Sequence, residues 1–239
     1  MSIAEKLTTV AENVTKVYEA GKQAAYKEEW DERQQNGNRT GYVYGYAGNT
    51  WNDKTFDPLY SMYVSDALGM FTQSRIEDLD GIIKRKGIVM EFSNSTRFTN
   101  MFGYSTIKYA GHIDTQKASS LTQLFDSCYY LVSVSLGLNP AGTQTFSSSF
   151  RNCTALEELS LTGVIGKDGF DVSTSTNLNK ASHISIFEAI STTASIIVTF
   201  SLKAVKKAFE TSEGANDGNE SQEWKDLVAS RPKATIALA

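Results

Sequence analysis

The chain has 239 residues, 41% of them hydrophobic and 21% charged, with a formal net charge of −4. Only 3 prolines against 17 glycines excludes a collagen-like or low-complexity polymer, and the acidic balance supplies no basic field for nucleic acid. No run of about 18 apolar residues occurs, so no membrane span is expected. Met1-Ser-Ile-Ala-Glu-Lys-Leu7 lacks the charged and apolar regions of a secretory leader, which implies cytoplasmic synthesis.

Residues 1–36 read as an N-terminal helix. Ile3, Leu7, Val10, Val14, Val17, Gly21 and Ala24 alternate at spacings of four and three, the heptad seam of a coiled coil. Valine at both seam positions leans toward three strands, hence a homotrimer. An amphipathic helix packed on the chain's own core is the competing reading. The polar stretch Gln34 to Thr40 ends the helix, with Gly37 available as its C-cap. Residues 37–74 are aromatic-rich. Tyr42, Tyr44 and Tyr46 alternate as one face of an extended segment, and either cap the first repeat or offer a stacking surface for a ligand.

Arg75 to Lys86 is expected to be a helix with Ile76, Leu79, Ile82 and Ile83 on one side, followed by Gly87 and a strand at Ile88–Phe92. From there the chain repeats. Leu121, Phe125, Cys128, Leu131, Val134 and Leu136 recur 25 residues later as Phe146, Phe150, Cys153, Leu156, Leu159 and Leu161. A fainter copy begins at Phe98 and runs through Phe102, Ser105 and Ile107. A period of this length signals stacked supersecondary units. The i, i+4 spacing of Leu121/Phe125 and Phe146/Phe150 suggests a short helical turn. Val134-Ser-Leu136 and Leu159-Ser-Leu161 alternate as strands, which turns Ser133, Ser135, Glu158 and Ser160 to solvent as a candidate ligand face.

Residues 163–179 are expected to form a polar loop. A helix at Lys180–Ser191 and a strand at Ile196–Leu202 complete the repeat region, 75–202. Residues 203–239 are expected to form a C-terminal cap with helices at Ala204–Glu210 and Glu223–Ser230 and a strand at Lys233–Ala239. The fold class expected is therefore α+β: a short leucine-rich-repeat-like solenoid preceded by a coiled-coil helix.

Chemistry is sparse. His112 and His183 sit in no triad or metal spacing, and the nucleotide, zinc-protease and nucleophile-elbow motifs are absent. Cys128 and Cys153 share one repeat position and read as a reduced core pair. Asp168-Gly-Phe-Asp171 and Asn216 to Glu220 read as turns, lacking the ligand spacing of a calcium loop. Glu77, Asp78 and Asp80 read as an exposed helix face. No enzyme activity, cofactor or metal is expected.

The units at 98–161, with their Phe-x-x-Cys/Ser-x-x-Leu pattern, resemble the BspA-like leucine-rich repeat proteins of bacterial surfaces. That likeness implies a binding protein, an adhesin or interaction scaffold at the cell surface. The leader from Met1 to Lys22, with Trp30 and Gln34 to Thr40, is similar to leaders of tail- or baseplate-associated proteins in phages and prophages of gut Firmicutes. This resemblance implies a fibre or receptor-binding tail appendage of the virion. Its implied partners are other copies of the chain, tail or baseplate proteins, and a bacterial surface protein or glycan; no nucleic acid and no membrane insertion are implied.

Overall fold

The computed structural model describes residues 52–54, 56, 62–64 and 66–239. The seam residues Ile3, Leu7, Val10, Val14, Val17 and Ala24, and the tyrosines Tyr42, Tyr44 and Tyr46, lie outside them. Among the described residues the order is β1 (Met62–Tyr63), α1 (Leu79–Lys86), β2 (Met90–Glu91), β3 (Tyr109–Asp114), β4 (Ser133–Gly137), β5 (Glu158–Thr162), β6 (Phe170–Val172), α2 (Lys180–Ala189), β7 (Ile197–Phe200), α3 (Leu202–Ala208), α4 (Gln222–Ala229) and β8 (Thr235–Leu238).

The repeat forms turns, not helices. Leu121 to Cys128 folds as successive β-turns, with the N–H groups of Leu124, Asp126 and Cys128 donating to the carbonyls of Leu121, Gln123 and Phe125. Gln123 and Ser127 sit at positive φ, 57° and 58°, as the third residue of a type II turn requires. The pattern recurs at Asn100/Tyr104 and Ser148/Asn152, and again at Gly69/Gln73. Residues 67–74 are thus a fourth copy, hidden in the sequence because Ala67 stands where Phe98, Leu121 and Phe146 stand in the others. The helical turn expected at Leu121/Phe125 and Phe146/Phe150 is corrected: two left-handed residues per unit, four apart, cannot belong to a right-handed helix.

The units stack through backbone bonds. Phe71, Phe102 and Phe125 N–H groups donate to Met101, Leu124 and Ser149 carbonyls at 2.6, 2.9 and 2.8 Å. Side chains follow the backbone. Rings Phe71–Phe102, Phe102–Phe125 and Phe125–Phe150 stack with centroids 5.1, 5.0 and 5.8 Å apart. Cys128 and Cys153 are free and buried, each thiol donating to the carbonyl of the phenylalanine one unit back, Phe102 (3.0 Å) and Phe125 (3.2 Å). Desolvation drives the Cys128 thiol pKa up to about 12, so it stays a protonated core group.

Among the described residues all strand pairs are parallel, in three separate sheets: β1-β2, β3-β4-β5 and β6-β7-β8. In the middle sheet Ser133, Val134, Ser135 and Leu136 lie opposite Glu158, Leu159, Ser160 and Leu161. α1 packs beside β3. Its N-cap Asp78 accepts the Gly81 N–H and its C-cap Gly87 takes φ 62°. Gly111, at the irregularity in β3, lets the two approach, since a Cβ there would lie 2.9 Å from the Asp80 carboxylate.

The expectation of a leucine-rich-repeat-like solenoid is therefore overturned. The described residues form a mixed α/β fold of small parallel sheets and four helices, not one continuous ribbon of strands. The reason is at β5, where the next element along the sheet is a helix. The outward N–H groups of Leu159 and Leu161 donate to the hydroxyls of Ser182 and Ser185 in α2, both at 2.8 Å. The coiled coil of that same expectation falls outside the described residues. The polar stretch 163–179, expected as a loop, contains β6, whose Phe170 and Val172 are buried.

Candidate functional site

Two surfaces gather polar side chains. The first is the outward face of β3-β4-β5. Alternation buries Val134, Leu136, Leu159 and Leu161 and turns the intervening residues out. Parallel register then aligns them in rows: Tyr109, Ser133 and Glu158; His112, Ser135 and Ser160; Asp114, Gly137 and Thr162. The sequence-derived residues Ser133, Ser135, Glu158 and Ser160 thus stand on one face. His112 joins them, its Nδ1 3.0 Å from the Ser135 hydroxyl. Tyr109 is 44% exposed at the head of the first row, with Tyr129 and Tyr130 exposed in the turn before β4.

The second surface is a groove of about 640 Å³ that sequence reasoning did not anticipate. It opens where the stacked turns stop. Phe170 tilts by 56° against Phe150 instead of continuing the parallel stack. The N–H of Ser148, whose counterparts at Gly69, Asn100 and Gln123 donate to the following unit, has no backbone acceptor among the described residues. One wall is the fourth turn unit in chain order, residues 146–153 with Thr145 just before it, through Ser147, Ser148 and Arg151. The opposite side is the outward face of β6 and β7, where Asp171 lies opposite Thr199.

Each charged group of the groove is held in place. Asp168 accepts the Ile197 N–H through one carboxylate oxygen at 2.7 Å, and Asp171 accepts the Ser173 N–H likewise at 2.8 Å. Arg151 is fixed by Asp126, with Nε 2.9 Å from Oδ1 and Nη2 2.5 Å from Oδ2. The Asp126 side chain is wholly buried. That burial, the largest influence, pushes its pKa up; hydrogen bonds from Arg151, Ser127 and Gln123 outweigh it and hold the carboxyl below its ordinary range. The signal in the sequence was Asp168-Gly-Phe-Asp171, readable as a turn but not as the rim of a groove.

The other groups considered from sequence are separated. Asp78 caps α1, Asp80 pairs with Lys84, and Glu77 pairs with Lys108 at 2.6 Å. His183 is buried against Phe200, Phe209 and Trp224, its Nδ1 2.8 Å from the Asn179 carbonyl. Asp217 of the acidic loop holds the Thr211 hydroxyl and N–H. Among the described residues no group of three or more His, Cys, Asp or Glu is placed to hold a metal ion, and no helix is long and apolar enough to cross a membrane. Comparison of the chain with protein-family models, with curated proteins and with solved structures returned no match.

Proposed function

We propose that the chain is a non-enzymatic binding protein of the phage or prophage tail-appendage type, which assembles through the helix read at 1–36 and presents the outward face of β3-β4-β5 to a bacterial surface ligand. The observation that supports this most is the registered polar rows on that face. Eight side chains from three strands, aligned in rows apart from the irregularity in β3, bring hydroxyl, imidazole, carboxylate and phenol groups to one face. The strands are paired within the sheet and the outer edge of β5 is capped by α2, so across this face recognition falls to side chains. A face of this kind reads a protein or glycan surface through many modest contacts, and trimerisation would multiply them by avidity.

The test is adsorption to host cells by the full chain, paired with its mass in solution. Replacing Ser135 and Ser160 together with lysine puts two long charged side chains on the face while leaving the inward Val134, Leu136, Leu159 and Leu161 untouched. The reading expects a trimer whose cell binding this double variant abolishes. A monomer lacking any partner, or undiminished adsorption by the variant, would sink it. A gene beside a secretion system rather than among tail genes would move the same binding role to a cell-surface adhesin.

A further inference from the structure

We propose that the groove between the fourth turn unit and β6-β7 is a second binding site, and that it takes a neutral saccharide. Its volume of about 640 Å³ falls within the ~300–1,000 Å³ usual for small-molecule sites. Its lining is chemically selective. Thr145, Ser147, Ser148, Ser173 and Thr199 contribute hydroxyls, each able to donate and accept, whereas the Thr174 hydroxyl is spent on the Asn152 N–H and the Phe150 carbonyl. Asp168 and Asp171 each spend one carboxylate oxygen on a backbone N–H. The anchored carboxylate keeps a second oxygen for an incoming donor. Ser148 adds a backbone N–H with no backbone acceptor among the described residues.

Hydroxyl donors and acceptors in alternation are what a sugar ring carries, so the lining matches a polyol group for group. The one large apolar side chain is Ile197, 51% exposed at the rim, suited to the C–H face of a pyranose. Competing ligands fit less well. An anionic sugar or phosphate would meet two carboxylates, while the single guanidinium, Arg151, is already bound to Asp126. A peptide would find no deep apolar pocket, and the only strand edge along the groove is that of β6, three residues long, since β7 is paired on both sides. Preorganisation adds to the match, because both carboxylates and the guanidinium are held before any ligand arrives. This site goes beyond the strand face proposed above and lies on different elements.

The experiment is calorimetric titration of the full chain at millimolar concentrations of probe. The neutral probes are the tetramers of N-acetylglucosamine, glucose, galactose and rhamnose, and a galacturonate tetramer is the anionic control. At least one neutral probe is expected to bind saturably and the galacturonate is not. Asp171→Ala is expected to weaken that binding by about tenfold or more, as loss of a hydrogen bond to a charged group would. Thr199→Arg, which fills the groove from an outward position, is expected to abolish it. Ser135→Lys/Ser160→Lys is expected to leave it unchanged. Failure of all four neutral tetramers, tighter binding of galacturonate, or full retention of binding by Thr199→Arg would overturn the proposal. Cell adsorption lost in the Ser135/Ser160 variant with no saccharide in the groove would leave the strand-face reading standing and this one refuted.

Discussion

Ser182 does the work of a β-strand from within a helix. Its hydroxyl accepts the Leu159 N–H at 2.8 Å and lies 3.0 Å from the Glu157 carbonyl, so it can serve both edge groups of β5. Ser185, one turn on, accepts the Leu161 N–H at 2.8 Å. Together they close an edge that would otherwise accept another strand. Leu159 and Leu161 are buried, so water does not replace a lost hydroxyl easily. Ser182→Ala is expected to cost about 1–3 kcal/mol, the range for a buried donor left without a partner. Ser182→Ala/Ser185→Ala should cost more and favour self-association through the opened edge. Urea denaturation and light scattering measure the two effects. A double variant with unchanged midpoint and unchanged size would show that the serines are dispensable.

The phenylalanine stack sets the spacing of the turn units. Phe125 is fully buried and sits between Phe102 and Phe150, at 5.0 and 5.8 Å. Phe125→Ala or Phe150→Ala should lower stability by roughly 3–5 kcal/mol, as for other buried phenylalanines. Tyr130→Ala, 55% exposed in the turn before β4, should change it by no more than about 0.5 kcal/mol. Equal melting temperatures for Phe125→Ala and the parent chain would contradict the stack.

The 25-residue period was legible because the apolar anchors of stacked units must coincide: Phe125 with Phe150, Cys128 with Cys153, and the strands at 133–137 and 158–162. The backbone between those anchors was not. A left-handed residue is usually announced by glycine, and here Gln123, Ser127 and Ser148 take that role. The parallel ladder supplies the bonds that hold them, a tertiary cause invisible to local propensity. The closing helix was legible as a helix, expected at 180–191 and found at Lys180–Ala189. Its Ser-x-x-Ser spacing said nothing until β5 was seen beside it. The same holds for the candidate sites. Alternation located Ser133, Ser135, Glu158 and Ser160 on one face, whereas the groove joins residues from 145 to 199 that only the end of the stack brings together.

Asp126 and Arg151 tie adjacent units together and should show it at low pH. The folded-state carboxyl pKa lies below its ordinary ~3.9. The unfolded chain therefore takes up the proton first as pH falls. The contribution is complete above about pH 4 and is lost as pH drops through the folded value. Asp126→Asn should remove that acid-dependent component. Arg151→Met should cost up to about 3 kcal/mol at neutral pH, the lower end for a broken buried pair, because the Arg151 side chain is 49% exposed. Stability curves for the parent and Asp126→Asn that run parallel from pH 6 to pH 2 would rule the linkage out.

His183 should make the C-terminal part sensitive to milder acid. Burial holds its pKa below the ordinary ~6.5, with the bond to Asn179 opposing in part. Nε2 is buried with no hydrogen-bond partner among the described residues, amid the rings of Phe200, Phe209 and Trp224. A proton there would place a charge where no acceptor waits. Between the folded value and about 6.5 the unfolded chain binds a proton that the folded chain does not. Stability is therefore highest above that window and falls as pH is lowered through it. His183→Phe should flatten the change between pH 7.5 and 5.5, read as the shift in Tm with Trp224 fluorescence as the local probe. A slope that persists in His183→Phe would assign it to another group.

Gln123 separates the turn from the helix by the effect of two substitutions. In a helix interior, Gln→Gly costs about 1 kcal/mol. At φ 57° a side chain carries a strain of about 1–2 kcal/mol that glycine does not. Glycine also gains freedom in the unfolded chain, worth about 0.4–1 kcal/mol in the opposite direction. The glycine variant also loses the long 3.4 Å bond from Gln123 to Asp126, so Gln123→Gly should be close to neutral, and Gln123→Val, with its branched Cβ, clearly destabilising. Chemical denaturation of both variants measures this. Loss of about 1 kcal/mol in the glycine variant with none in the valine variant would mean that Gln123 does not occupy a left-handed turn.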